Sequence, residues 1–127
     1  MNELAAIRHN SKALDVFEHR AKLISRNISN ADTPGFKAKD IDFAEALSHA
    51  DANLGLKKTQ QEHIPLQPEG GAERLYYRVP MQRKADENTV DGEIERKNFM
   101  ENSMRYQAAV GFIQSSASQL IKAFRGE

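Results

Sequence analysis

The four histidines are the first residues to consider for chemistry, because imidazole serves as both a metal ligand and a proton carrier. A zinc-binding helix needs two such ligands about one turn apart. No two of the histidines are that close; they are His9, His19, His49 and His63. The chain has no cysteine either. The sequence therefore predicts no metal site, no thiol nucleophile and no disulfide.

The carboxylates and glycines form no catalytic pattern. No pair stands out among the 18 acidic residues, and neither a glycine-rich phosphate loop nor a G-x-S-x-G motif occurs. Residues 27–29 match a glycosylation sequon, but such short matches arise readily by chance. We interpret them as part of a helix end. The residues thus favour a protein that is not an enzyme and that uses no cofactor.

The balance of charge narrows the choice of partners. Lys and Arg number 18, as do Asp and Glu, so no net charge attracts the chain to nucleic acid or to an anionic membrane. No stretch approaches the ~20 apolar residues of a membrane span. The N-terminus also lacks the basic head and apolar run of a signal peptide. These features predict a cytosolic protein, or one exported without a cleaved signal.

Two long helices are predicted to carry the function. Apolar residues recur every three or four positions before Pro34, which predicts a heptad helix over residues 1–30. A longer repeat of the same kind predicts a second heptad helix over residues 89–125, with Asn88 and Thr89 as candidate N-caps.

The two helices are expected to pair as an antiparallel coiled coil along one seam. Leu, Ile, Val and Phe make up about a fifth of the chain, close to the ~20% below which charged chains tend to be disordered. A single chain should therefore be marginally stable, with order completed by assembly. The predicted seam consists of Leu14, Phe17, Ala21, Ile24, Ile28, Phe99, Tyr106, Val110, Ile113, Ala117, Leu120 and Phe124.

Between the helices the sequence changes character. Residues 31–47 are expected to turn the chain and continue as an extended segment, and residues 48–88 to form a polar, loop-rich central segment. Residues 74–80 could form a short edge strand closed by proline. No third layer is predicted to cover the helices, so the expected fold class is mainly α.

The end of the first helix is unusually constrained. Asn30 is a candidate for a left-handed residue that ends the helix, and Asn27 for a bond to backbone groups freed there. Pro34 and Gly35 suit the centre of a type II turn. We name residues 27–36 the elbow; the residues assigned to its role are Asn27, Asn30, Thr33, Pro34, Gly35 and Phe36.

This stretch resembles a known signature. It is similar to the Asn-Ile-Ala-Asn-x-x-Thr-Pro-Gly-Tyr motif near the N-terminus of bacterial flagellar rod and hook proteins, and Ser29 and Phe36 are mild departures from it. Residues 63–67, 77–80 and 88–113 are further similar to the short proximal-rod proteins of that family.

The resemblance implies a structural role in the flagellar basal body. Proteins of this kind form the proximal rod, the axial drive shaft that crosses the periplasm and transmits torque from the motor to the hook. The implied partners are other rod subunits, the rod-base protein at the membrane ring and the flagellar type III export apparatus, which uses no cleaved signal. Nucleic acid, a small-molecule substrate and a membrane span are not expected. The alternative hypothesis is a soluble coiled-coil adapter or secretion chaperone that binds partner helices.

Overall fold

The computed structural model describes residues 2–52 and 75–126. Two long helices pack against each other, and a short helix and a two-stranded ribbon pack on the first of them, which confirms the predicted mainly α fold with paired terminal helices. In chain order the elements are α1 (Asn2–Ser29), β1 (Lys39–Ile41), α2 (Phe43–Ala52), β2 (Leu75–Tyr77) and α3 (Gly92–Arg125).

Helices α1 and α3 run antiparallel. Asn27, near the end of α1, bonds to Glu95 at the start of α3. Closer to the middle of both helices, Asn102 of α3 donates to the Phe17 carbonyl of α1. Residue numbers therefore fall along α1 as they rise along α3. Of the described residues in α3, only Glu95, Asn102 and Ala109 are buried, and they are spaced seven apart.

The contact face of α3 lies beside the predicted seam and overlaps it only in part. Phe17 and Ile24 of α1 are buried, as expected of seam residues. On α3, however, Phe99, Tyr106 and Phe124 are exposed in the single chain. The remaining seam residues are partly buried; they are Leu14, Ala21, Ile28, Val110, Ile113, Ala117 and Leu120.

Helix α2 was not predicted, and it supplies a partial third layer. Asp42 caps it, since its Oδ1 accepts from the backbone N–H of Ala44 at 2.9 Å and of Glu45 at 3.1 Å. Phe43 of α2 then stacks on Phe17 of α1, with ring centroids 4.6 Å apart. The hydrophobic core thus lies where α2 meets the middle of α1.

Strands β1 and β2 pair antiparallel, with Asp40 opposite Tyr76. β2 falls within the stretch 74–80 for which the sequence favours a strand. An isolated ribbon of two strands is marginal in water, so other contacts must hold it. Residues 53–74 of the expected central segment lie outside the described residues, and no helix in the described ranges is long and apolar enough to cross a membrane.

Helix α3 begins later than expected. Its N-cap is Asp91, whose Oδ1 accepts from the backbone N–H of Glu93 at 3.0 Å and of Ile94 at 3.3 Å. The candidate caps Asn88 and Thr89 therefore do not cap it; the Asn88 side chain binds elbow carbonyls, and that of Thr89 accepts from the Ala38 N–H. Carboxylates at this end of the helix also suit the positive end of its dipole.

Candidate functional site: the elbow, its clasp and a buried ion cluster

Helix α1 ends where the side chain of Asn30 folds back onto it. Asn30 Nδ2 donates to the Arg26 carbonyl at 2.8 Å, and Thr33 Oγ1 donates to Asn30 Oδ1 at 3.2 Å. The prediction of a left-handed Asn30 is wrong, since Glu87 is the only described non-glycine residue with a positive φ. Asn30 instead gives the Arg26 carbonyl a second donor, since its own backbone N–H also bonds there at 3.2 Å, and so reinforces the last turn of the helix.

The turn at Pro34 and Gly35 has the predicted type II features. Gly35 has a φ of 71°, and the Phe36 N–H donates to the Thr33 carbonyl at 3.3 Å. A Cβ placed on Gly35 meets no atom within 4 Å. Glycine is therefore needed here for its backbone conformation and not for lack of space.

A second segment, residues 86–90, holds the elbow from the other side, and we call it the clasp. The Gly35 N–H donates to the Asp86 carbonyl at 2.8 Å, and the Thr89 N–H donates to the Phe36 carbonyl at 3.0 Å. Thr89 Oγ1 accepts from the Ala38 N–H at 2.8 Å. The clasp thus fixes the path of the chain between the turn and β1.

Asn88 is the centre of the clasp. It is 1% exposed, and its Nδ2 donates to the carbonyls of Asn30, Ala31 and Thr33 at 3.0, 2.9 and 2.8 Å. Its Oδ1 accepts from the Val90 N–H at 2.7 Å. One buried amide therefore binds three elbow carbonyls, of which those of Asn30 and Thr33 also accept backbone N–H bonds within the turn.

Asn27 bonds to a strand and not, as predicted, to the freed end of its own helix. Its Oδ1 accepts from the Lys39 N–H at 3.1 Å, while its Nδ2 donates to the Lys39 carbonyl at 2.8 Å. The amide thus pairs with the outer edge of β1 as a neighbouring strand would. Its Nδ2 also lies 3.2 Å from Glu95 Oε2, which links β1 and α1 to α3.

Glu95, which binds Asn27, belongs to a set of two arginines and two carboxylates that ties four elements together. Arg20 of α1 binds Asp40 of β1 in a bidentate pair, Nε to Oδ1 at 3.0 Å and Nη2 to Oδ2 at 3.1 Å. Arg78, which follows β2, donates to Asp40 Oδ2 at 2.6 Å and through Nη1 to Glu95 Oε1 of α3. We call these four side chains and Asn27 the ion cluster.

The cluster is buried, and this gives its two carboxyl groups opposite pKa shifts. Burial alone would raise the pKa of Asp40, but hydrogen bonds from Arg20 and Arg78 outweigh it and hold the pKa below its ordinary value. For Glu95, burial dominates over the charge of Arg78, and the nearby Asp40 adds to it, so the pKa is raised. The hydrogen bond to Asp40 raises the pKa of Arg20, which stays charged.

This arrangement positions chain segments and has no reactive centre. Both carboxylates are about 1% exposed and bind guanidinium or amide donors, so neither is free to act as a base. Among the described residues no group of three His, Asp or Glu side chains could hold a metal ion. The cluster and the clasp together set the angle at which the chain leaves α1.

The sequence predicts the elbow, but it does not predict the clasp or the ion cluster that hold it. Arg and Lys alternate with acids along the chain, a pattern that is typical of a solvated face and does not indicate buried ion pairs. One signal could have pointed to Arg20 and Asn27, since they continue the seven-residue spacing of Ala13 on the face that packs against α3. No such signal in a single sequence pairs Asp40 with Arg78.

The chain is similar in sequence to several flagellar proteins. No protein-family model matches it. It is 45% identical to the flagellar basal body rod protein FlgB of Aeromonas hydrophila over 91% of this chain and 89% of that protein. It is 37% identical to the protein of the same name from Salmonella typhimurium (96% and 94%) and 35% to that from Escherichia coli K12 (95% and 94%).

Paired terminal helices with a fixed turn between them define a helical structural protein. The elbow carries the signature of flagellar rod and hook proteins, and the identity to the curated relatives extends over nearly the whole chain. The chain belongs to the FlgB family of flagellar basal body rod proteins. The adapter or secretion-chaperone alternative finds no support in these comparisons.

Proposed function

We propose that the chain is a structural subunit of the proximal rod, polymerising into the periplasm-spanning drive shaft that transmits torque from the flagellar motor to the hook. It does so without catalysis. Its partners are other rod subunits and the rod-base protein at the membrane ring. It reaches the periplasm through the flagellar type III export apparatus, without a cleaved signal peptide.

The exposed seam residues of α3 carry this proposal. Phe99, Tyr106 and Phe124 are separated by whole numbers of turns and share a face with Ile121; they are 41%, 40%, 88% and 51% exposed. A soluble monomer rarely leaves a long apolar stripe in water. In a polymer, neighbouring subunits would pack on this stripe and bury it. We expect the exposed seam residues to form that contact.

Incorporation into basal bodies tests the proposal. Ile121→Asp with Phe124→Asp places two charges on the exposed stripe, where a neighbour would have to bury them without a partner. We expect a folded chain that is absent from purified basal bodies and cells that do not swim. Ser115→Asp, on the opposite face of α3, is the matched control and should be incorporated.

Wild-type incorporation of the double variant would overturn the proposed packing. A second site separates folding from assembly: Ile24 is 0% exposed in the single chain, so Ile24→Asp should unfold the subunit before assembly begins. Val110 is only partly buried, and Val110→Asp is expected to affect both. Recovery of the wild-type chain only from the cytosol would restore the adapter hypothesis.

A further inference from the structure

A cavity of about 240 Å³ opens beside the elbow, between the last turns of α1 and the β1–β2 ribbon. Leu23, Phe36 and Tyr77 form its apolar walls, and Arg26, Lys37 and Lys39 stand around it. At ~30 Å³ per water it holds roughly eight waters. It is smaller than the ~300–1,000 Å³ of drug-sized ligand sites, so a side chain or two would fill it.

The charge around this cavity is one-sided. No Asp or Glu is among the described residues that line it. Lys37 is engaged elsewhere, because its Nζ donates to the Glu87 carbonyl at 2.7 Å and lies 3.9 Å from Glu87 Oε2. Arg26 and Lys39 have no carboxylate partner among the described residues. Two cations thus flank an apolar space to which residues 2–52 and 75–126 bring no counter-charge.

Lys39 is held in a fixed position beside this cavity. Its backbone is fixed on both sides, by Asn27 and by the pairing of β1 with β2. Its ammonium lies 5.2 Å from the centre of the Tyr77 ring, a cation–π distance. A cation that is already positioned loses less side-chain freedom when an anion arrives.

We infer that the cavity receives an acidic side chain with an adjacent apolar one, from a neighbouring rod subunit. The carboxylate would accept charge-assisted hydrogen bonds from Arg26 and Lys39, and the apolar neighbour would pack on Leu23 and Phe36. The inference rests on the proposed function for the source of the occupant. It makes the elbow a receptor for the next subunit as well as a turn.

A small probe tests the site in the free chain. 3-Phenylpropionate carries the proposed carboxylate and apolar group, and 3-phenylpropanamide is its neutral analogue. In amide NMR spectra of the full-length chain, the acid should shift the signals of Gly35, Phe36 and Tyr77 at least fivefold more than the amide does. Arg26→Glu with Lys39→Glu should abolish the difference, while Arg83→Glu, a reversal at an exposed loop residue, should keep it.

The outcomes are distinct. Equal shifts from acid and amide, or none up to about 20 mM of the acid, would overturn the inference, as would acid-specific shifts that survive the double reversal. Inorganic phosphate serves as a further probe, and shifts equal to those from 3-phenylpropionate would overturn the apolar half of the inference. Basal bodies give the second readout: the double reversal should reduce incorporation at least tenfold and Arg83→Glu should not. Normal incorporation of both variants would refute the role of the cavity in assembly while leaving the rod proposal intact.

Discussion

Replacing Arg78 by Met should destabilise the chain strongly, because the arginine binds two buried carboxylates. Among the described residues Arg78 is the only cation in direct contact with Glu95, and it also donates to Asp40. Met fills much of the same volume but leaves the Glu95 carboxylate, 1% exposed, with only the Asn27 amide. Breaking one partner of a buried ion pair costs about 3–5 kcal/mol, a large part of the ~5–15 kcal/mol that stabilises a typical domain.

The loss should depend on pH in a definite direction. Burial already raises the pKa of Glu95, so its ionised form is a cost to the fold, present above the folded pKa and relieved as pH falls through it. Without Arg78 the pKa rises further, and the carboxyl group protonates at a higher pH. In the wild-type chain the pKa of Asp40 is lowered by Arg20 and Arg78 against the effect of burial, so its contribution is lost only below its unfolded value of ~3.9; Arg20 remains bound to it in the variant. The deficit of Arg78→Met should therefore be largest at pH 7–8 and shrink toward about pH 5.

Urea unfolding followed by circular dichroism measures this deficit. Adding Glu95→Gln to Arg78→Met removes the unpaired charge and should recover at least half of the lost stability. The matched control is Arg105→Met, which breaks an exposed i,i+4 pair with Glu101 and should cost only about 0.2–0.5 kcal/mol. A loss below about 1 kcal/mol for Arg78→Met, or one that stays constant from pH 5 to pH 8, would refute the reasoning.

Three further variants probe the elbow and α3. Gly35→Val forces a β-branched residue to a positive φ, at about 1–2 kcal/mol, and should reduce incorporation into basal bodies with little change in helix content by circular dichroism; unchanged incorporation would reduce the elbow to a simple helix stop. Asn88→Ala removes the buried amide that binds the carbonyls of Asn30, Ala31 and Thr33 and should cost about 1–3 kcal/mol, seen as faster amide exchange at Gly35; unaltered exchange would contradict the clasp. Gly111→Ala meets no atom within 4 Å in the single chain and should stabilise it by about 1 kcal/mol in urea unfolding, whereas impaired assembly of the same variant would indicate that a helix of a neighbouring subunit packs closely at this position.

The features predicted well from sequence are those decided by local chemistry. A helix without Pro or Gly before Pro34 ends within one residue of the predicted position, and Gly35 adopts the positive φ that a type II turn demands. Helix α2 was equally local and could have been found, because Asp42 with Glu45 three residues on is a capping pattern before an apolar run. The alternation of charged residues around β1 obscured it.

The face of α3 that meets α1 was harder to predict for a physical reason. Apolar periodicity identifies the most hydrophobic face of a helix, yet this helix buries Glu95 and Asn102 against α1 and leaves Phe99 in water. Polar residues can take that position only because Arg78 and the Phe17 carbonyl meet them there. Such partners lie far away in the chain, and a single sequence does not pair them.

The pairing of β1 with β2 has a consequence for how this chain can change. Ile41 lies opposite Leu75, so the two ends of the intervening stretch meet at one point on the body of the molecule. Closing a longer stretch between fixed ends costs only about 0.6 kcal/mol for each doubling of its length. A whole domain can therefore be inserted between β1 and β2 while the paired helices keep their geometry. A short shaft protein built in this way can be enlarged in evolution without redesign of its core.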